Sequence, residues 1–408
     1  MQRTLLYIMS IGIAAGALSM VFFLLLAAGV PFVGIVPVVG IALWAYWKYG
    51  VAATMKWVED DGSRPFFSLI ILAVGMATMV AKSYPLTERY GGWDAWAIWN
   101  LQAKYLASDT WRTLFLNVRH GHPDYPLLVP GITAFFARIL PMCRIEAIAF
   151  VPAFCFMLFI PVLIYLQYAG RSIIVATYVL FMLATDKFFL TLGVSMYADT
   201  ALAFFFLCAL AAMKQQLAGN RQVAIAAAAL GCAMWTKNEG VVLSAIFCLF
   251  YFRELFLGGR YKYFAAAIAL PVLTLVVFKL GFAPANDMAH GLSGDTWHHL
   301  TDMERYRQIF TSFSDNIEKN FGYIRMGVLL YGIVCLWRRQ WPGKDMLMIV
   351  CCVAAYFMIY VVSFMDLQWH LLTSADRLLH QLMPALVFVI ADKLAGNGNR
   401  MSFVIRRG

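Results

Sequence analysis

Four carboxylates and two long cations stand where the chain's chemistry could reside. Asp94 follows Gly91-Gly92-Trp93, Asp124 sits inside His122-Pro123-Asp124-Tyr125-Pro126, and Asp199 sits inside Met196-Tyr197-Ala198-Asp199-Thr200. Glu239 belongs to Lys237-Asn238-Glu239-Gly240, and Arg377 closes Trp369-His370-Leu371-Leu372-Thr373-Ser374-Ala375-Asp376-Arg377. A carboxylate can take the proton of an attacking hydroxyl, and a guanidinium fork or an ammonium can steady charge growing on a departing phosphate. Each residue also has a plainer use. Asp94, Asp124 and Asp199 lie just before or at the start of apolar stretches, where an aspartate caps free backbone amides. Lys237 and Glu239 can pair locally in headgroup-level water, and Arg377 can snorkel from the start of a span. His298 and His299 are adjacent but bring no further ligand, so no metal site is expected.

The elements that must position these groups are membrane helices. Of 408 residues, 62% are hydrophobic and only 13% charged, with a mean hydropathy of +0.72; soluble domains carry about 25% charged residues. That composition excludes a soluble enzyme, a disordered chain and a disulfide-stapled secreted scaffold. Continuous apolar blocks, rather than short alternating segments, exclude an outer-membrane barrel. The chain reads as an all-α polytopic membrane protein in a single domain, with about twelve spans: 5–28, 31–47, 66–81, 147–168, 172–187, 196–212, 222–236, 240–255, 262–280, 322–337, 346–364 and 378–394. The first block is longer than a signal-peptide core and runs straight into the second, so it reads as a retained span.

The formal charge of +10 reflects loop topology. Arg171, Lys214, Arg221, Arg253, Arg260, Lys262, Arg338, Arg339, Lys344 and the tail residues Arg400, Arg406 and Arg407 fall in alternate connections. By the positive-inside rule these connections and both termini face the cytoplasm, and the loops 82–146 and 281–321 face out. No basic block resembles a nucleic-acid patch. Seven of the eight cysteines lie inside apolar runs as small fillers. In the first outer loop, Trp93 to Leu106 reads as an amphipathic helix in the interface, with Trp93, Trp96 and Trp99 at headgroup depth. The apolar segment 126–140 is expected to lie in the plane or to re-enter.

Ionisable residues are costly inside a bilayer. Here they avoid the span centres and collect at the outer mouths of six separate connections: Asp94, His122, Asp124, Asp186, Lys187, Asp199, Lys237, Glu239, His370, Asp376, Arg377 and His380. That distribution favours chemistry at the outer interface over a pathway through the membrane.

In four features the chain resembles the GT-C superfamily of polytopic glycosyltransferases, in particular the bacterial aminoarabinose transferase and protein mannosyltransferase branch. These are Asp94 in the first large outer loop, the His122-Pro123-Asp124-Tyr125-Pro126-Leu127 element that ends it, Asp199 at a helix mouth, and Trp235-Thr236-Lys237-Asn238-Glu239-Gly240. The sequence departs from the family in having more than one span ahead of the acid, and in placing Asp124 where the family element has its second proline. The resemblance implies a GT-C-like core spanning roughly 66–394 and a bacterial inner-membrane protein with its active site on the extracytoplasmic side. Its donor would be a polyprenyl-phosphate-linked sugar, its acceptor a lipid, glycan or protein, and no cofactor is implied. Asp94 would then be the base, Lys237 and Arg377 would meet the donor phosphate, and Asp124, Asp199, Glu239, His122 and His370 would hold the sugar or orient the base. A lipid-linked-sugar flippase or transporter is the alternative, and a non-catalytic assembly subunit a third.

Overall fold

The computed structural model describes residues 2–55, 66–116, 122–215, 217, 220–284 and 295–396. Arg400, Arg406 and Arg407 lie outside the described residues. Helix makes up 83% of the structure, with no strand among the described residues. In chain order the main helices are α1 (Gln2–Ala27), α2 (Phe32–Ala45), α3 (Phe66–Ser83), α4 (Asn100–Leu106), α5 (Leu128–Ile139), α6 (Ile145–Tyr168), α7 (Ile173–Thr185) and α8 (Lys187–Val194). There follow α9 (Ala198–Met213), α10 (Arg221–Thr236), α11 (Glu239–Phe250), α12 (Tyr261–Gly281), α13 (Met303–Asn320), α14 (Gly322–Trp337), α15 (Lys344–Val362) and α16 (Leu367–Ala395). Among the described residues seven helices are long and apolar enough to cross a membrane, or up to nine if the bent pairs α7–α8 (65°) and α13–α14 (102°) each count as one span. The chain is therefore a helical, multi-pass membrane protein. Only such closed hydrogen-bonding elements satisfy the backbone within lipid.

The centre is α9. Every residue from Ala198 to Ala212 is buried, as expected for a helix that is apolar all round. It packs on α10, α16 and α6. The run Ala226–Ala229 makes α10 thin enough to approach closely, and small residues serve this purpose where lipid removes the hydrophobic drive between helices. At the periphery, α2 and α3 turn Val33, Ile41, Phe66, Phe67 and Val74 outward. Exposed apolar faces of this kind suit a bilayer rather than water.

The connections gather into two polar layers. One, here the site end, contains the loops before α4 and α9, the α10–α11 break and the start of α16. The far end is pinned by Lys214, which pairs with both Asp345 and Asp392, while Arg171 pairs with Asp392 at 3.3 Å. Tyr251 donates to Asp345 in the same cluster.

Several expectations shift. The 93–106 helix is not a simple interfacial strip. Trp93 and Trp96 are exposed, but Trp99 is buried against Tyr125, and the polar Asn100 and Gln102 turn inward. A wide-turn segment, Ala95–Trp99, precedes α4, and Gln102 donates to the His122 carbonyl at 3.0 Å. Polar side chains here serve neighbouring loops, a demand that periodicity cannot reveal. The expected span 240–255 breaks at Tyr251, with a short helix Phe252–Phe256 after it. The last helix starts eleven residues earlier than expected, at Leu367, capped by Asp366 onto the Trp369 amide. Arg377 therefore lies inside α16 and does not open it. The loop 281–321 contains the helices Asp295–Thr301 and α13.

Candidate functional site

Two glycines set the first carboxylate. Gly91 has φ +73°, a left-handed conformation that only glycine takes without strain, and the Gly92 amide donates to the Ser195 carbonyl at 3.1 Å. The chain is thereby docked on the turn before α9, and the Asp94 amide lies 3.4 Å from the Tyr197 hydroxyl. Asp94 occupies the position before the Ala95–Trp99 turn, yet its side chain makes no capping hydrogen bond. Its carboxylate instead accepts from Arg377 Nη1.

From that contact an alternating row of charge runs inward. Arg377 Nη1 lies 4.0 Å from Asp199 Oδ2. Lys237 Nζ stands 3.0 Å from Asp199 Oδ1 and 3.1 Å from Glu239 Oε1. Gln381 Nε2 donates to Asp199 Oδ1 at 2.6 Å and accepts through its carbonyl from Tyr356. The five charged groups come from four elements: the Asp94 loop, the first turn of α9, the α10–α11 break and α16. Asp199 is wholly buried and Lys237 is 5% exposed, whereas the side chains of Asp94 and Arg377 retain 18% and 16% exposure. The row is dry at its inner end and reachable at Asp94.

Buried ion pairs lose much of their attraction to desolvation, so their worth lies in holding a fixed arrangement. Burial alone would discharge Lys237, but Asp199 and Glu239 beside it prevail and raise its pKa. Asp199 Oδ2 and Glu239 Oε2 are buried without a hydrogen-bond donor. These are acceptors with capacity to spare, of the kind that hydroxyl groups satisfy.

A second branch adjoins the row. Asn238 donates to Asp124 Oδ2 at 2.8 Å, and Lys279 at the end of α12 donates to the Asp124 carbonyl at 2.6 Å and to Asn238 Oδ1 at 2.8 Å. Tyr125 is stacked between Trp99 and His122, with centroid distances of 5.6 and 4.6 Å, and Lys237 Nζ lies 5.7 Å from its ring. Burial raises the Tyr125 hydroxyl pKa well above its usual value, which leaves it neutral. His122 itself adopts φ +51°, uncommon for a non-glycine residue.

Asp94, Asp199, Lys237, Glu239 and Arg377 thus converge, and Asp124 and His122 border them. His370 is bonded through Nδ1 to Ser363 Oγ at 2.9 Å and packed on Tyr360, with His122, Glu239 and Arg377 near enough to interact with it by charge. Asp186 caps α8 on the Phe189 amide, and His380 lies buried between Phe188 and Phe189 with neither ring nitrogen partnered. Reading the sequence missed Lys279, Asn238, Gln381 and Tyr197. Gln381 had a signal, since it follows Arg377 by four residues and shares its helix face. Among the described residues no group of three or more His, Cys, Asp or Glu is placed to hold a metal ion, and all eight cysteines are free.

The glycine hinge carries a prediction. A Cβ on Gly91 would stand 2.7 Å from the Ser195 carbonyl oxygen, on top of the strain of its positive φ. Gly91→Ala is expected to displace the Asp94 loop and cost about 10²-fold in any activity needing that carboxylate, since errors of about 1 Å in placement suffice for such losses. Steady-state rates beside a thermal melt check it; a full-rate, normally melting variant rejects the hinge.

Two clefts open at this end. One of about 420 Å³ is lined by Glu88, Arg89, Tyr90, Gly91 and Trp96, flanking Asp94. The other, about 310 Å³, lies between the start of α13 and the α15–α16 turn, beside Arg305, which fastens that turn by donating to the Tyr360 and Ser363 carbonyls. Comparison of the chain with protein-family models, curated proteins and solved structures gives no match.

Proposed function

We propose that the chain is a membrane-embedded glycosyltransferase of the GT-C type, using a polyprenyl-phosphate-linked sugar at the site end. The observation that carries the reading is the meeting of Asp94 with Arg377, Asp199, Lys237 and Glu239 in one partly open polar row. Twelve crossings are proposed, by α1, α2, α3, α6, α7, α9, α10, α11, α12, α14, α15 and α16. That count leaves Arg171, Lys214, Arg260, Arg338 and Lys344 in far-end connections and makes the site end extracytoplasmic by the positive-inside rule.

In the proposed reaction the acceptor oxygen bonds to the anomeric carbon as the carbon–oxygen bond to phosphate breaks. The bonding pair leaves with the phosphate, the acceptor proton passes to Asp94, and configuration inverts. Arg377 and Lys237 are each engaged by carboxylates, and Arg377 also donates to the Thr373 carbonyl through Nε and Nη2. An arriving phosphate that draws Arg377 from Asp94 would free the base when it is needed. Asp199 Oδ2 and Glu239 Oε2 are suited to sugar hydroxyls. The same helices, α9 and α16, are pinned by ion pairs at both ends through Asp199 with Arg377 and Lys214 with Asp392. That favours a fixed scaffold over the rocking motion of a transporter.

The test supplies full-length protein in proteoliposomes with prenyl-phosphate-linked sugars and a membrane extract as acceptor source. Formation of a new, inverted glycosidic bond with release of prenyl phosphate is expected. Movement of the lipid-linked sugar across the bilayer, with no bond formed, replaces this reading with the flippase.

A further inference from the structure

The sequence marks 93–106 as the interfacial helix, but that segment turns Asn100 and Gln102 inward. A better candidate lies in the loop 281–321. Of its 18 residues α13 has six charged, Glu304, Arg305, Arg307, Asp315, Glu318 and Lys319, too many for a path through lipid. It meets α14 at 102°. Along its length α14 turns Met326, Leu329, Ile333 and Leu336 outward, and it is one of the crossings proposed above. A helix at right angles to a crossing helix lies in the plane of the membrane.

Three faces separate around the axis of α13. Arg305, Ile309 and Phe313 are buried. Phe313 packs edge to face on Phe357 and Tyr360, at centroid distances of 5.8 and 5.7 Å, and Arg305 donates to the Tyr360 and Ser363 carbonyls at 2.8 and 2.6 Å. These contacts fix the rotation of the helix. Glu304, Arg307, Thr311, Asp315, Glu318 and Lys319 are exposed on a polar face. Between the two faces Met303, Phe310 and Ile317 are exposed at 77%, 68% and 39%. Spaced by seven residues, they form an apolar stripe about 21 Å long.

The surroundings point to lipid as the occupant. The stripe is followed along the chain by Tyr323 and Met326, the first outward apolar residues of α14. Phe364, in the α15–α16 turn that Arg305 holds, and Trp369, in the first turn of α16, are also exposed. Tyrosine and tryptophan collect where headgroups meet acyl chains. The exposed acids Asp302, Glu304, Asp315 and Glu318 outnumber the exposed cations Arg307 and Lys319. A polar face of that sign does not seek anionic lipid, so apolar burial must hold the helix down.

We infer that α13 lies on the site-end leaflet as a surface helix, with its Met303–Phe310–Ile317 stripe seated among the headgroups and upper acyl chains of zwitterionic lipid. The inference needs α14 to cross the bilayer and does not need the transferase activity. Full-length protein with p-benzoylphenylalanine in place of Phe310 is irradiated in phosphatidylcholine nanodiscs, and its adducts are read by mass spectrometry. Phospholipid adducts are expected, about tenfold more abundant than when the same probe replaces Thr311 on the polar face. Admixed phosphatidylglycerol and raised salt should leave the yield unchanged. Should the Phe310 variant fail to fold, the probe at Ile317 is expected to give the same adducts.

Equal yields at 310 and 311, or no lipid adduct at 310, overturn the seat. A cross-link to a second copy or to another segment of the chain also overturns it, because the stripe is then a protein interface. A yield that rises with phosphatidylglycerol and falls with salt does so too, since charge and not the stripe would hold the helix. A protein that gives the lipid adducts but transfers no sugar keeps the surface helix and loses the transferase. One that transfers sugar without giving them keeps the transferase and loses the surface helix.

Discussion

Asp94→Asn is expected to lower sugar transfer by about 10²–10⁴-fold, the usual worth of a positioned general base, while the protein remains folded. The amide keeps the shape of the carboxylate and still offers Arg377 an acceptor oxygen, but it cannot take a proton. In the variant Arg377 keeps Asp199, 4.0 Å from its Nη1, and the Thr373 carbonyl, so its charge is not stranded and the loss of stability should stay well below the roughly 3–5 kcal/mol of a buried pair broken outright. The variant therefore separates chemistry from scaffold. Initial rates in proteoliposomes, measured beside a thermal melt, give both numbers. If the variant turns over at the parental rate, Asp94 is only the tether that holds Arg377, and the base must be sought elsewhere in the row. If the melt collapses with the rate, Asp94→Glu supplies the control, because it keeps the charge and changes only the reach.

How much of this was legible in the sequence depends on the scale. Long apolar blocks announce membrane helices, since nothing else exposes such faces stably, and the positions of α1, α6 and α15 follow from them directly. The break at Lys237-Asn238-Glu239-Gly240 was visible as polarity between two apolar runs, and the structure puts a helix end and a helix start there. Arg377 was misplaced for a physical reason. A polar stripe of His370, Ser374, Arg377 and Gln381 runs down one face of α16 and depresses the local hydropathy, so the span seemed to begin after it. Those residues are tolerated because they face protein partners: Ser363, Tyr360, Asp94 and Asp199 respectively. The capping role weighed for Asp94 and Asp199 also gives way. Tyr197 takes the position before α9, and the Asp199 carboxylate is turned to Lys237 and Gln381. Capping and ion pairing ask for the same residue at the same place, and only the partner, 38 residues on or 182 residues on, distinguishes them. Lys279 escaped notice because a lysine ending an apolar run is usually a snorkelling anchor, whereas here it ties Asp124 to Asn238.

Removal of the innermost carboxylate should have the largest effect on stability. In Asp199→Ala, Lys237 is left with Glu239, Arg377 is left with Asp94 and the Thr373 carbonyl, and the Gln381 amide loses its acceptor, all in a region where Asp199 is wholly buried. Breaking a buried ion pair from one side costs about 3–5 kcal/mol, chiefly because the remaining charge is stranded. A sharply lowered melting temperature in detergent is expected, together with loss of transfer. Lys237→Met should destabilise for the mirror reason, by stranding Asp199 beside Glu239. The double variant is the informative one. Replacing both charges with apolar side chains removes the stranding, so Asp199→Leu with Lys237→Met should melt well above the sum of its single variants, with a coupling of about 0.5–3 kcal/mol. Activity should not return with stability, because the row that steadies Arg377 and Asp94 has been dismantled. Strict additivity of the two losses would mean that Asp199 and Lys237 do not act as a unit, and the charge row would then be a set of independent contacts with no claim to position a base.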